Sequence, residues 1–107
     1  MSILEEVLME EYDRSLRISR AMEAENDSLP RGSVRKRMIG GRPYYYLQYR
    51  DGVHVKSEYV KAVDVDSVAQ GIARRKENEA ALKEQAKSRR QIVKALGRGY
   101  VDEHSRA

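Results

Sequence analysis

The first thirty residues carry hydrophobic positions at helical spacing. These positions share one sector of a helix and comprise Leu4, Val7, Leu8, Ile18, Met22 and, at the edge of the sector, Tyr12. Glu11 and Ser15 interrupt the stripe halfway along it. Residues 26–28 favour a turn, and Pro30 disfavours helical geometry in the residue before it. The pattern therefore predicts an amphipathic helix over residues 2–27.

Residues 33–60 alternate between polar and apolar side chains and contain two turn signals, which predicts a three-stranded antiparallel meander. Gly40-Gly41 is typical of a two-residue turn. For the second turn, a two-residue loop at Asp51-Gly52 would leave both faces of the sheet mixed. A three-residue loop over 50–52 pairs Leu47 with Val55 and sorts the side chains into one apolar and one polar face. Because burial should select the sorted arrangement, we predict the three-residue loop.

This register predicts two faces with different chemistry. The apolar face would contain Val34, Met38, Tyr45, Leu47, Tyr49, Val53, Val55 and Tyr59. The polar face would contain Arg35, Arg37, Tyr44, Tyr46, Gln48, His54, Lys56 and Glu58.

Residues 64–97 predict a long helix that covers the apolar sheet face with its first part. Its apolar positions keep three- and four-residue spacing, although Arg75, Glu79 and Arg89 interrupt the seam. Gly71 indicates a close contact, and Gly97 ends the helix. The predicted class is α+β. Its parts are an N-terminal helix (1–29), a three-stranded sheet (30–62), a long helix packing on the sheet and extending beyond it (63–98), and a flexible tail (99–107).

Composition narrows the classes of function. The chain has 107 residues and no cysteine, which excludes disulfides and thiolate metal sites. The acidic N-terminus differs from a signal peptide, and no apolar run is long enough to span a membrane, so we expect a cytoplasmic protein. The two histidines, His54 and His104, have no ligand-spaced partner. We find no arrangement of residues for catalysis, a metal or another cofactor, and we expect a protein that is not an enzyme.

Charge is distributed unevenly along the chain. Residues 1–30 contain eight acidic and three basic residues, a net charge of −5. Residues 31–61 contain eight basic and two acidic residues, a net charge of +6. A basic segment of this kind favours an anionic partner, and nucleic acid is the commonest one.

The polar sheet face is the candidate binding site, with two further arginines in the turns that flank it. Guanidinium and ammonium groups contact phosphates, glutamine reads base edges and tyrosine rings stack. The predicted nucleic-acid-binding residues are Arg35, Arg37, Tyr44, Tyr46, Gln48, His54, Lys56, Arg42 and Arg50. The alternative is that the N-terminal helix covers Tyr44 and Tyr46 and makes this face a second core.

The stretch from Gly32 to Val60, "GSVRKRMIGGRPYYYLQYRDGVHVKSEYV", resembles the arm-type DNA-binding domain of tyrosine recombinases, including phage integrases. The resemblance rests on aromatic alternation in the second strand, the "RDG" turn and a basic third strand. It implies a three-stranded sheet with a helix on one face and a major-groove reader on the other. The segment is also similar to small bacterial proteins carried by mobile elements.

Two functions follow as hypotheses. The leading one is a small nucleic-acid-binding protein, with DNA favoured over RNA. The alternative is a protein-interaction module, such as an antitoxin-like or inhibitor subunit, that docks on a partner protein through residues 1–27 and 76–97. A homodimer held by the long helix is compatible with either.

Overall fold

The computed structural model describes residues 2–97, and the predicted tail, residues 99–107, lies outside them. The elements are helix α1 (Ile3–Asp27), strands β1 (Ser33–Ile39), β2 (Arg42–Asp51) and β3 (His54–Val60), a 3₁₀ turn (Ala62–Asp64) and helix α2 (Val65–Leu96). Along the chain, one antiparallel sheet follows the first helix and precedes the second, which confirms the predicted α+β class. Within residues 2–97, no helix is long and apolar enough to cross a membrane.

The chain forms two compact units. One unit contains the part of α1 before residue 26 and the part of α2 after residue 77. The other comprises residues 26–77 and therefore holds the whole sheet.

In the helical unit, α1 and α2 run antiparallel and meet along a polar seam. Before residue 26, the buried positions of α1 are Tyr12, Ser15 and Ser19, which recur at the three- and four-residue spacing of one helix face. Ser15 donates a hydrogen bond to the Gln85 side chain at 2.7 Å. The prediction that Ser15 interrupts the buried stripe is thus wrong, because its small hydroxyl finds a partner on α2.

In the sheet unit, the end of α1 is tied to α2 by one guanidinium group. Arg75 Nη1 donates to the carbonyl oxygen of Asn26 at 2.6 Å and to that of Leu29 at 3.0 Å. The last carbonyls of a helix have no partner within the helix, so a cation that donates to them stabilises its end. Arg75 therefore forms hydrogen bonds at a position where the sequence suggested only an interruption of the apolar positions of α2.

The first hairpin has the predicted register. β1 and β2 pair Val34 with Leu47 and Arg35 with Tyr46. Gly40 and Gly41 join the strands with φ values of +58° and +78°. A two-residue turn of this type requires positive φ at both central positions, which explains the two glycines.

The second hairpin differs from the prediction by three residues. Its loop has two residues, Gly52 and Val53, so that Asp51 pairs with His54 and Leu47 pairs with Glu58. Gly52 has a φ of +63°, and glycine at the first central position is typical of a type II′ turn. The predicted three-residue loop, with Leu47 opposite Val55, is wrong.

The predicted register is wrong because the second hairpin buries too little apolar surface to select it. The side chains of Val53 and Tyr59 are 87% and 60% exposed, and the sole buried residue of β3 is Val60. Polar contacts hold the pair of strands instead. Tyr49 Oη donates to Glu58 at 2.7 Å, and Lys56 Nζ lies 2.8 Å from an Asp51 carboxylate oxygen.

The observed register defines the two faces of the sheet. The covered face contains Val34, Lys36, Met38, Pro43, Tyr45, Leu47, Tyr49, Asp51, His54, Lys56, Glu58 and Val60. The open face contains Ser33, Arg35, Arg37, Ile39, Arg42, Tyr44, Tyr46, Gln48, Arg50, Val55, Ser57 and Tyr59.

Helix α2 and the segment before the sheet lie against one part of the covered face, whereas Lys36, Met38 and Lys56 on the same face are exposed. Leu47, Tyr49 and Glu58 line a cleft of about 370 Å³ together with Leu29, Pro30 and Arg75. Gly71 of α2 packs so closely on Pro30 that a Cβ atom there would lie 2.7 Å from the proline ring. This confirms the close contact that the glycine predicted.

Candidate nucleic-acid interface

Seven of the nine predicted binding residues share the open face: Arg35, Arg37, Arg42, Tyr44, Tyr46, Gln48 and Arg50. The other two, His54 and Lys56, lie on the covered face because of the three-residue shift in β3. Lys56 also forms an ion pair with Asp51. The prediction that these two residues share a surface with Arg35 is therefore wrong.

Sequence reasoning missed two polar side chains on the open face. Ser57 pairs with Gln48, and Tyr59 pairs with Tyr46. The predicted three-residue loop would place both residues on the opposite face of the sheet. The signal that could have placed them is Gly52 followed by Val53, since glycine in the first central position supports a two-residue turn.

An arginine and two tyrosines form a contact group at the centre of the open face. The guanidinium carbon of Arg37 lies 5.5 Å from the centroid of the Tyr46 ring. This distance is within the range of a cation–π interaction. The Tyr46 and Tyr59 rings meet edge to face, with centroids 6.0 Å apart and planes at 71°. These two contacts fix the Tyr46 ring. Arg35, on the same strand as Arg37, is exposed to solvent.

A depression of about 290 Å³ lies beside this group. Its lining residues are Arg35, Lys36, Arg37, Tyr46, Gln48 and Ser57. They offer guanidinium donors, a carboxamide that both donates and accepts, and hydroxyl groups. The depression therefore suits a ligand with anionic oxygens and hydrogen-bonding edges.

The open face has a single sign of charge. It carries four arginines and no aspartate or glutamate within the three strands, which the structure describes in full. The two carboxylates of the strands, Asp51 and Glu58, lie on the covered face. The correction of the register removes both Glu58 and Lys56 from the arginine face, so the net charge of that face is unchanged but it carries no carboxylate.

Solvent reaches the open face. Arg35, Arg37, Ser57 and Tyr59 are exposed. Tyr44, Tyr46 and Gln48 are half-buried, and none of the open-face residues is buried. Because neither tyrosine is fully buried, Tyr44 and Tyr46 do not lie in a closed core.

The described residues offer no sign of a metal centre. Residues 2–97 contain no group of three or more histidine, cysteine, aspartate or glutamate side chains that could hold a metal ion. His104 lies outside the described residues.

Comparison with known proteins places the chain in a family. No curated protein and no solved structure matches it. These results do not test the resemblance to the arm-type domain of tyrosine recombinases, which stays a prediction. A family model described as a domain of unknown function, DUF6788, matches residues 5–70, a segment with nearly all of α1, the whole sheet and the first turns of α2. Because the match spans more than half of the 107 residues, the chain belongs to the DUF6788 family.

Proposed function

We propose that the protein binds DNA through the open face of its sheet. The observation that carries this proposal is that four arginines share a face without carboxylates with the half-buried Tyr46 and the exposed Tyr59. A cationic surface attracts a polyanion over several ångströms and releases counterions when it binds.

The arginines supply phosphate contacts. Arg35 and Arg37 are exposed and lie two positions apart on β1, so both project from the same face. Arg42 and Arg50 lie at the two ends of β2 on that face. A guanidinium group donates two parallel hydrogen bonds to a phosphate or to the edge of guanine.

The dimensions of the first hairpin favour a duplex. All four arginines lie on β1 and β2, whose backbones are about 4.8 Å apart in a sheet. The major groove of B-DNA is about 12 Å wide and admits a two-stranded ribbon. In that position, Arg37 and, at the open end of the ribbon, Gln48 are the side chains that reach base edges.

The proposal is tested by fluorescence anisotropy with a labelled mixed-sequence DNA duplex and with single-stranded DNA and RNA of the same sequence. We expect the duplex to bind most tightly. Replacing Arg35 and Arg37 together with alanine should weaken binding and reduce the slope of log K against log salt by about 0.9 per lost phosphate contact.

Lys56→Ala is the matched control, because Lys56 is a cation of the same sheet but lies on the covered face, away from the depression. It should leave most of the affinity and the salt slope in place. The proposal is wrong if none of the three nucleic acids binds at low salt, or if Lys56→Ala weakens binding as much as the double arginine variant does.

A further inference from the structure

The helical unit has an exposed apolar end. The side chains of Ile3, Leu4 and Val7, in the first two turns of α1, are 81%, 68% and 48% exposed. A groove of about 300 Å³ follows one turn later, lined by Leu8, Glu11, Ser88, Gln91 and Ile92. A second, of about 410 Å³, lies near the end of α2 and is lined by Arg90, Val93, Lys94 and Gly97.

The interior of the same unit is small and polar. Tyr12 is its one buried hydrophobic residue among residues 2–25 and 78–97, where the other buried side chains are Ser15, Ser19 and Asn78. Two packed helices leave much of their apolar surface in water unless further helices cover it. The half-buried Leu8, Ile92 and Val93 are therefore free to form a core with another pair of helices.

The charges of the two helices indicate which molecule covers this apolar surface. Residues 2–25 carry seven acidic and three basic residues, a net charge of −4. Residues 78–97 carry two acidic and five basic residues, a net charge of +3. A surface that presents an acidic helix beside a basic one complements itself across a two-fold axis, because each α1 then faces the α2 of the other copy.

We propose that the helical unit is the interface of a homodimer, in which two helix pairs associate as a four-helix bundle. The apolar end formed by Ile3, Leu4 and Val7 is covered by the second copy. Glu6 and Glu10 of one copy lie near Arg90 and Lys94 of the other. This assembly uses a different unit from the proposed DNA-binding face and does not depend on it.

The mass in solution tests the proposal, measured by sedimentation equilibrium and by light scattering over a series of concentrations. The 107-residue chain should have twice the monomer mass. Leu4→Glu combined with Val7→Glu should convert it to a monomer, with the helix content checked by circular dichroism. The matched control is Val53→Glu with Val63→Glu, since these valines are 87% and 84% exposed in the other unit. This control should remain dimeric.

A charge exchange tests the pairing itself. Glu6→Lys with Glu10→Lys and, in a separate protein, Arg90→Glu with Lys94→Glu should each weaken self-association at least about tenfold. An equimolar mixture of the two variants should form a heterodimer. Wild-type protein that stays monomeric up to about 1 mM, a dimer indifferent to the Leu4 and Val7 substitutions, or a mixture without heterodimer would each overturn the proposal.

Discussion

The guanidinium group of Arg89 donates a hydrogen bond to the Ser19 hydroxyl at 2.7 Å. The same nitrogen lies 3.0 Å from the Ser15 hydroxyl. Within residues 2–97, no carboxylate forms an ion pair with this arginine. The α1–α2 seam therefore holds a half-buried positive charge by neutral oxygen atoms, and two serines one helical turn apart provide them.

Arg89→Ala is expected to destabilise the helical unit by about 1–3 kcal/mol, because the Ser19 hydroxyl loses its donor in a buried position. Urea unfolding at a fixed protein concentration measures the change. Lys87→Ala is the control, since Lys87 is exposed on the same helix, and it should change stability by less than about 0.5 kcal/mol. Equal effects of the two substitutions would contradict a bonding role for Arg89.

An apolar version of the seam provides a second test of the same network. Replacing Arg89 with leucine and both serines with alanine removes the guanidinium and both hydroxyls together, so that the half-buried Gln85, the partner of Ser15, is the side chain that loses a bond. We expect the triple variant to recover most of the stability lost in Arg89→Ala, because well-packed apolar residues often replace a buried polar network at little cost. A triple variant less stable than Arg89→Ala would contradict this view of the seam.

Gly32→Ala is expected to disrupt the entry to the sheet. Gly32 has a φ of +102°, and a Cβ atom there would lie 2.1 Å from the Gln48 carbonyl oxygen. Both the backbone conformation and the clash with a rigid carbonyl oppose the substitution, so the loss should be at least about 3 kcal/mol. Thermal unfolding followed by circular dichroism gives the value.

Gly40→Ala separates the two causes, because Gly40 has a φ of +58° and open space around it. It should cost only about 1–2 kcal/mol for the backbone conformation. If the two alanine variants were equally stable, the close approach of Gly32 to Gln48 would not matter for stability.

Tyr49 makes the sheet unit sensitive to alkaline pH. The hydrogen bond that it donates to the Glu58 carboxylate raises the pKa of its phenol above 10.0. A raised pKa in the folded state means that this group stabilises the fold fully below pH 10 and loses that contribution as pH rises through the folded-state pKa. Tyr49→Phe should therefore lose stability at neutral pH and show a smaller further loss than wild type above pH 10. Denaturant unfolding at pH 7 and above pH 10 checks this, with Tyr45→Phe as control.

The order of the elements could be predicted because each depends on local signals. The helical spacing in α1 and α2, the Gly40-Gly41 turn and the break before Pro30 all operate within a few residues. The register of β1 and β2 followed from the turn type in the same way. Gly71 was informative because a glycine in mid-helix costs about 1 kcal/mol against alanine and indicates that close packing requires it.

The register of β3 could not be predicted by sorting hydrophobic residues, since the strand is exposed along most of its length. Its position depends on the type II′ turn at Gly52-Val53 and on polar contacts across strands, of which Tyr49 with Glu58 is one. The buried role of Ser15 was missed for a similar reason. A small hydroxyl gives no hydrophobic signal, and its partner Arg89 lies 74 residues away in the chain.

The final prediction separates the observed register from the one expected from sequence. In the structure, Tyr59 supports the Tyr46 ring on the open face, whereas Lys56 lies on the covered face. Tyr59→Ala should therefore weaken DNA binding about 2- to 10-fold, the range that the loss of an aromatic pair predicts. Lys56→Ala should change the affinity by less than this, although it removes a positive charge. Anisotropy titrations with the same duplex compare the two variants directly. A larger effect of Lys56→Ala than of Tyr59→Ala would mean that DNA contacts the covered face, because Lys56 lies on that face.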